Sequence, residues 1–441
     1  MKRGAAVLLL AAIVLLSARL PSGYASGEAS SPASVAMATL VAGLILLGGH
    51  IAGHLLAKVG LPRISGYLGL GILLGPQALA VIDTETASLL GFLNELAVAF
   101  IALAAGAELR LQQLRERIGQ ILRLTLSMAS VVSLGVFCFF YFVGTRFLPM
   151  AQNMDTAQKA AVAVLLGILA VARSPSSALA IIRECRARGP FPDTVLGVTV
   201  ALDVLSIVLF AMGLSLCQAL VSSTTDISFA ITLGAELFSG IAMGVLLGAV
   251  LAFYIARVPG NLALLLLGTA LVVTHVAHGI ADYARVTHEL PLHLEPLLIC
   301  VTAGFTVRNL SSGGDRFAEA MDAVSLPVFV LFFCLAGASL DLQSLSTTWA
   351  AALLYVVVRG VSLFGSCWIS ARGDQDRGWY GISFLTQAGV SLGLALEVVR
   401  RFPEWGEAFA TIAVAAISIN QLIGPVAMKL ALQRASSSQT R

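Results

Sequence analysis

The chain of 441 residues is 58% hydrophobic and only 12% charged, where soluble proteins carry about a quarter of their residues as charged. A soluble fold of this length cannot hide that much apolar surface, and the formal net charge of +3 has little meaning until the charges are assigned to sides of a bilayer. Apolar stretches of roughly 17 to 25 residues recur from end to end, each able to cross a hydrocarbon core of about 30 Å as a helix. The period-two alternation of a membrane barrel is absent, so the expected class is an all-α polytopic bundle.

In chain order, the start reads Met1-Lys2-Arg3, then an apolar run over 5–16, then Gly23-Tyr24-Ala25-Ser26. This is the pattern of a signal peptide over 1–25 with cleavage after Ala25, or of an additional N-terminal helix. Thirteen spans follow, at 34–57, 64–82, 88–107, 118–146, 157–184, 194–218, 229–257, 261–283, 291–308, 324–340, 348–371, 378–400 and 406–431. With the segment before the first span outside, the inside loops collect Lys58, Arg63, Arg110, Arg115, Arg117, Arg123, Arg183, Arg186 and Arg188. The outside loops hold Arg146, Lys159, Arg285, Arg400 and Arg401. The positive-inside rule then predicts an external N-terminus and a short cytoplasmic tail over 432–441, with no appended soluble module.

Gly66, Gly69, Gly71 and Gly75 lie within the second span with no preceding strand, so close helix packing rather than a dinucleotide loop is expected of them. Ala104-Ala105-Gly106-Ala107-Glu108-Leu109 closes the third span, and Leu335-Ala336-Gly337-Ala338-Ser339-Leu340-Asp341 echoes it at the tenth. Each is followed by a long span and then by a span with a polar interruption. The interruptions are Arg173-Ser174-Pro175-Ser176-Ser177 and Thr386-Gln387-Ala388-Gly389. Paired in this way they read as an inverted repeat with two broken helices meeting near the midplane. Pro175 removes a backbone donor and frees a carbonyl one turn back, and such carbonyls, with half-helix ends, can receive an ion.

Asp203 lies in the middle of Thr199-Val200-Ala201-Leu202-Asp203-Val204-Leu205-Ser206, about ten residues from either end of its span. A carboxylate at such depth costs at least about 2.5 kcal/mol on insertion scales and marks an ion or proton path; a structural cap on a neighbouring helix is the alternative. Arg359, central in Val356-Val357-Val358-Arg359-Gly360, needs an acceptor: Asp203, or the carbonyls of a broken helix. Arg173 inside the first interruption would repel a cation unless it is neutralised or snorkels toward the cytoplasmic side. Together with Ser174, Thr199, Thr386 and Gln387, these residues make up the candidate ion- and proton-binding site. The pairs His50/His54 and His275/His278 lack a clustered third ligand, and the six cysteines have no metal or disulfide spacing, so neither a metal nor another cofactor is expected.

Gly60-Leu61-Pro62-Arg63-Ile64-Ser65-Gly66-Tyr67-Leu68 through Gly71-Ile72-Leu73-Leu74-Gly75-Pro76 resembles the opening signature of the monovalent cation:proton antiporter superfamily, in its bacterial sodium/proton and potassium-efflux branch. Ala105-Gly106-Ala107-Glu108-Leu109, Ser174-Pro175 with Arg188-Gly189-Pro190, Ala303-Gly304 with Arg308-Asn309, and Ala336-Gly337-Ala338-Ser339-Leu340-Asp341 match further motifs in the family's order. The resemblance implies a thirteen-helix fold in the bacterial inner membrane, with a dimerisation domain, a mobile core carrying crossed broken helices, and elevator-like transport by a homodimer. It also implies that Asp203 is the essential ion-binding aspartate and Arg359 the basic residue that pairs within the core. Two positions depart from the pattern: Leu202 stands where Asp or Asn is common, and Arg173 where Thr is common. Exchange of Na⁺ or K⁺ for H⁺ is therefore the leading expectation. A same-fold transporter of an organic anion, drawn by Arg173 and Arg359, and a transport-inactive sensor or assembly partner stand as alternatives. No HExxH or paired GxGD motif of a membrane protease is present, and no enzyme activity is expected.

Overall fold

The computed structural model describes residues 32–222, 227–257, 262–288, 296–340, 342–371, 376–387 and 390–438, and these are helical with short connections. The signal-like segment 1–25, Asp341 and the Ala388-Gly389 pair lie outside the described residues. The helices are α1 (Pro32–Lys58), α2 (Arg63–Leu74), α3 (Thr84–Leu89), α4 (Gly91–Glu108), α5 (Leu111–Ser127), α6 (Ser133–Phe142), α7 (Thr156–Leu169), α8 (Pro175–Cys185) and α9 (Pro190–Ser222). They continue with α10 (Ile227–Arg257), α11 (Leu262–His288), α12 (Pro296–Leu310), α13 (Gly314–Ala338), α14 (Leu342–Ser370), α15 (Arg377–Ser383), α16 (Val390–Arg401) and α17 (Gly406–Ser438). Among the described residues eight helices are long and apolar enough to cross a membrane, and α2, α7, α12 and the first part of α11 are shorter apolar helices. Every one of the thirteen segments expected from the sequence contains helix. The residues between α5 and α6, Met128–Val132, form a π-helical turn rather than a break, so this span is continuous.

Local chemistry sets several ends. Asp83 caps α3 by accepting the Thr86 N–H at 2.8 Å, and that bond holds its carboxyl below the ordinary carboxylate range. A capping box starts α7, with Asp155 accepting from the Gln158 N–H at 2.7 Å and the Gln158 side chain accepting the Asp155 N–H at 3.2 Å.

The chain divides into two compact units. The first takes Met1–Leu47, Ile82–Leu111 and Gly234–Phe332. In it α4 packs against α12 so closely that a side chain on Gly106 would strike the Val301 carbonyl, and one on Gly304 would strike that of Leu103. Small residues are what permit such backbone approach where lipid offers no hydrophobic drive between helices. At one end of this pair Asn309 donates to the Leu109 carbonyl at 2.9 Å and accepts the Leu111 N–H at 2.6 Å. Asp315 bridges Arg110 at 3.1 Å and Arg308 at 2.8 Å. The motifs around Gly106 and Gly304 thus meet as two halves of one contact.

The second unit takes Gly48–Val81, Gln112–Leu233 and Phe333–Arg441. Within it a Cβ on Gly66 would lie 2.6 Å from the Ala52 carbonyl, one on Gly71 would strike the Cys334 carbonyl, and one on Gly75 would lie 3.0 Å from the Ala338 carbonyl. The packing expected of these glycines therefore holds for three of them. Gly69 has open space where a Cβ would stand, because it falls on another face of α2. Glu184, near the end of α8, accepts the Arg63 N–H at 2.7 Å and the Lys429 ammonium at 3.1 Å, and Lys429 also donates to the Leu61 carbonyl at 2.9 Å. This knot joins the Leu61-Pro62-Arg63 motif to α8 and α17.

Candidate functional site

Two helical spans of the second unit are interrupted. The first break runs from Ala170 to Ser174 between α7 and α8, and the second begins at Phe384, between α15 and α16. Pro175 at the first position of α8 has no N–H to give, and the Ser174 hydroxyl restarts the helix by accepting the Ser177 N–H at 3.2 Å. The same hydroxyl donates to Ser177 Oγ at 2.9 Å.

The breaks meet. Gln387 Nε2 donates across to the Leu169 carbonyl at 2.9 Å, and Asn420 Nδ2 on α17 donates to Gln387 Oε1 at 2.9 Å. Arg359, fully buried on α14, donates through Nε to the Ala170 carbonyl at 3.0 Å, through Nη2 to that of Ala172 at 3.4 Å, and through Nη1 to that of Leu385 at 2.9 Å. It is therefore a clamp on both breaks, and of the two acceptors expected for it the broken-helix carbonyls are the ones it takes. Thr386 is buried where α17 comes close: a Cβ on Gly424 would lie 2.8 Å from the Thr386 backbone.

Arg173 does not snorkel. It is 1% exposed and folds back on its own segment, Nη1 donating to the Ala170 carbonyl at 2.7 Å and to the Ala172 carbonyl at 2.9 Å. Its Nε and Nη2 are buried with no hydrogen-bond partner among the described residues. Each such nitrogen costs about 1–3 kcal/mol. Because Arg173 and Arg359 share the Ala170 oxygen, two like charges stand near each other and repel.

Asp203 is 2% exposed on α9, and α9 packs against α7, α8, α16 and α17. The helices around each break are thus neighbours of the one that carries the carboxylate. Thr199, one turn earlier, donates to the Val195 carbonyl at 2.7 Å, and Ser206 donates to that of Asp203 at 2.8 Å. Leu202 is buried and adds no oxygen. Among the candidate residues, Gln387 bonds across the breaks, Ser174 caps α8, and Thr199 donates its hydroxyl hydrogen to its own helix. Sequence reasoning missed Asn420, although an amide in the apolar run Ile417-Ser418-Ile419-Asn420 carries the same signal of depth that singled out Asp203. It also missed Tyr355, buried one turn before Arg359.

Two interrupted helices that meet inside a bundle of apolar helices, beside a buried carboxylate, define a secondary-transporter architecture. The family model described as sodium/hydrogen exchanger, transmembrane, matches residues 43–429, and the chain belongs to that family. Among characterised proteins it is similar to the Na⁺/H⁺-K⁺ antiporter GerN of Bacillus cereus, with 30% identity over 173 residues. The similarity spans 39% of this chain and 41% of that relative. Among solved structures it is similar to the sodium proton antiporter MjNhaP1 from Methanocaldococcus jannaschii at pH 8, with a TM-score of 0.63 and 17% identity over 92% of this chain and 98% of the other. An electron-microscopy structure of the same antiporter gives a TM-score of 0.69 and 20% identity over 91% and 96% of the two chains. At these identities the structural likeness is one of fold.

Proposed function

We propose that this protein exchanges a monovalent cation, Na⁺ or K⁺, for H⁺ across the bacterial inner membrane, with Asp203 holding either the proton or the cation and never both. The observation that carries this reading is the burial of Asp203 on a helix packed against the helices of both breaks. A carboxylate at that depth is expensive unless its charge is used, and one carboxylate that alternates between two ions suffices for electroneutral one-for-one exchange. Family membership and the similarity to an antiporter named for Na⁺, H⁺ and K⁺ support the reaction class. On this reading Thr386 and Ser174 lie at the break ends facing the ion path, Arg359 holds the breaks together, and the unit with the interrupted helices is the mobile core. The chain works as a homodimer with its N-terminus outside and its C-terminus in the cytoplasm.

The test is pH-jump flux in proteoliposomes loaded in turn with Na⁺ and K⁺. Asp203→Asn is expected to lose exchange by about two orders of magnitude or more, since the shared group no longer ionises. A variant that exchanged as fast as the parent would remove Asp203 from the mechanism.

A further inference from the structure

The two buried arginines have different tasks, and the difference lies in what each one holds. Arg359 joins residues far apart in the chain, on both breaks. Among the described residues Arg173 bonds to Ala170 and Ala172, three and one residues before it, and so joins no distant segments. With Nε and Nη2 unpartnered among the described residues, it is also a poor brace. What it does is occupy oxygen.

A helix break exposes carbonyls, each with two lone pairs, and these are the ligands a dehydrated monovalent cation needs. In the first break those of Ala170 and Ala172 are already committed, as is that of Leu169 just before it. The Ala170 oxygen accepts from Arg173 Nη1 at 2.7 Å and from Arg359 Nε at 3.0 Å. That of Ala172 accepts from Arg173 Nη1 at 2.9 Å and from Arg359 Nη2 at 3.4 Å. The Leu169 oxygen accepts from Gln387 Nε2 at 2.9 Å and from the Ala172 N–H at 3.3 Å.

We infer that the Arg173 guanidinium is a tethered cation, seated on the carbonyls of the first break in competition with the transported ion, and that it sets the cation affinity of the site low. Arg173 is thus a specificity-determining residue of this chain: a mobile ion must either displace it or bind without the Ala170 and Ala172 carbonyls. The inference rests on the reading of the breaks as the cation's place.

The test measures Na⁺ and K⁺ binding to the purified full-length protein in lipid nanodiscs, by calorimetry against a choline background at constant ionic strength. Variants Arg173→Ala and Arg173→Met remove the charge and release the carbonyls, while leaving the Gln387 and Arg359 ties between breaks in place. Removing a unit charge about 5 Å from a cation at an effective dielectric of about 20 corresponds to about a hundredfold in affinity. The expected result is a gain of at least about tenfold for Na⁺ or K⁺ in both neutral variants, with a smaller gain in Arg173→Lys and the same fall in the KM of exchange. A gain of affinity cannot come from structural damage. Equal or weaker binding than the parent in both neutral variants, each eluting as a folded protein, overturns the inference. Binding is read without transport, so a failure of Asp203-dependent exchange and a failure of this inference are told apart.

Discussion

Arg359 holds backbone oxygens of both breaks with a single side chain. Its three nitrogens donate to carbonyls at Ala170, Ala172 and Leu385, groups that have lost their helical partners. Arg359→Met takes the donor from the Leu385 oxygen and leaves Arg173 as the side-chain donor to those of Ala170 and Ala172. It is expected to destabilise the protein by about 3–5 kcal/mol, on the scale of breaking a buried charged network. The measurement is the melting temperature of the detergent-solubilised protein, and a variant melting with the parent would show that the clamp carries no stability. The sequence made Arg359 visible because a cation in Val-Val-Val-Arg-Gly stands out. Its acceptors were a choice between Asp203 and the breaks, and only the crossing of distant segments decided it. Arg173 was legible in the same way, but its placement was not: snorkelling and burial use the same residue type, and the difference is where its own backbone turns.

At the scale of elements, the broken helices are set by short-range chemistry. Pro175 cannot continue a ladder, Ser174 offers an oxygen to restart one, and the position of the first break follows from those two residues. Closing the site also requires α17 to lie against the second break, and Gly424 permits it. Gly424→Ala puts a methyl 2.8 Å from the Thr386 backbone, which must move. A cost of about 1–3 kcal/mol is expected from overpacking, together with slower exchange because Thr386 and Gln387 shift with the backbone. Thermal unfolding and flux on the same preparation check both parts, and an unaffected variant would mean that α17 approaches the break less closely. No local pattern around Gly424 marks it out, since Leu-Ile-Gly-Pro reads equally as a kink. Likewise Gly69 was grouped with Gly66, Gly71 and Gly75 by spacing, although only three of the four meet a neighbour.

At the scale of the whole molecule, the second unit is fastened where two segments distant in sequence converge on Glu184. The Arg63 N–H, Lys429 and, through Lys429, the Leu61 carbonyl meet there, and the side chains of Glu184 and Lys429 are 13% and 12% exposed. Replacing the charge by Glu184→Gln keeps the shape and removes the ion pair, with an expected loss of about 1–3 kcal/mol. Urea or thermal unfolding of the reconstituted protein measures it, and no change in stability would mean the pair is decorative. The Gly-Leu-Pro-Arg motif thereby acquires a physical reason: it brings a helix N-terminus and a free carbonyl to one carboxylate and its lysine.

Composition and hydropathy alone determined that this is a helical membrane protein, where its helices run, where two of them break, and which charges lie deep, because the bilayer imposes length and polarity on each segment independently of the others. Tertiary structure decided the partners. Arg359 reaches Ala170 and Gln387 reaches Leu169 across separations of 189 and 218 residues. Whether a buried cation meets a carboxylate or a carbonyl depends on how such distant segments cross, which no local pattern contains.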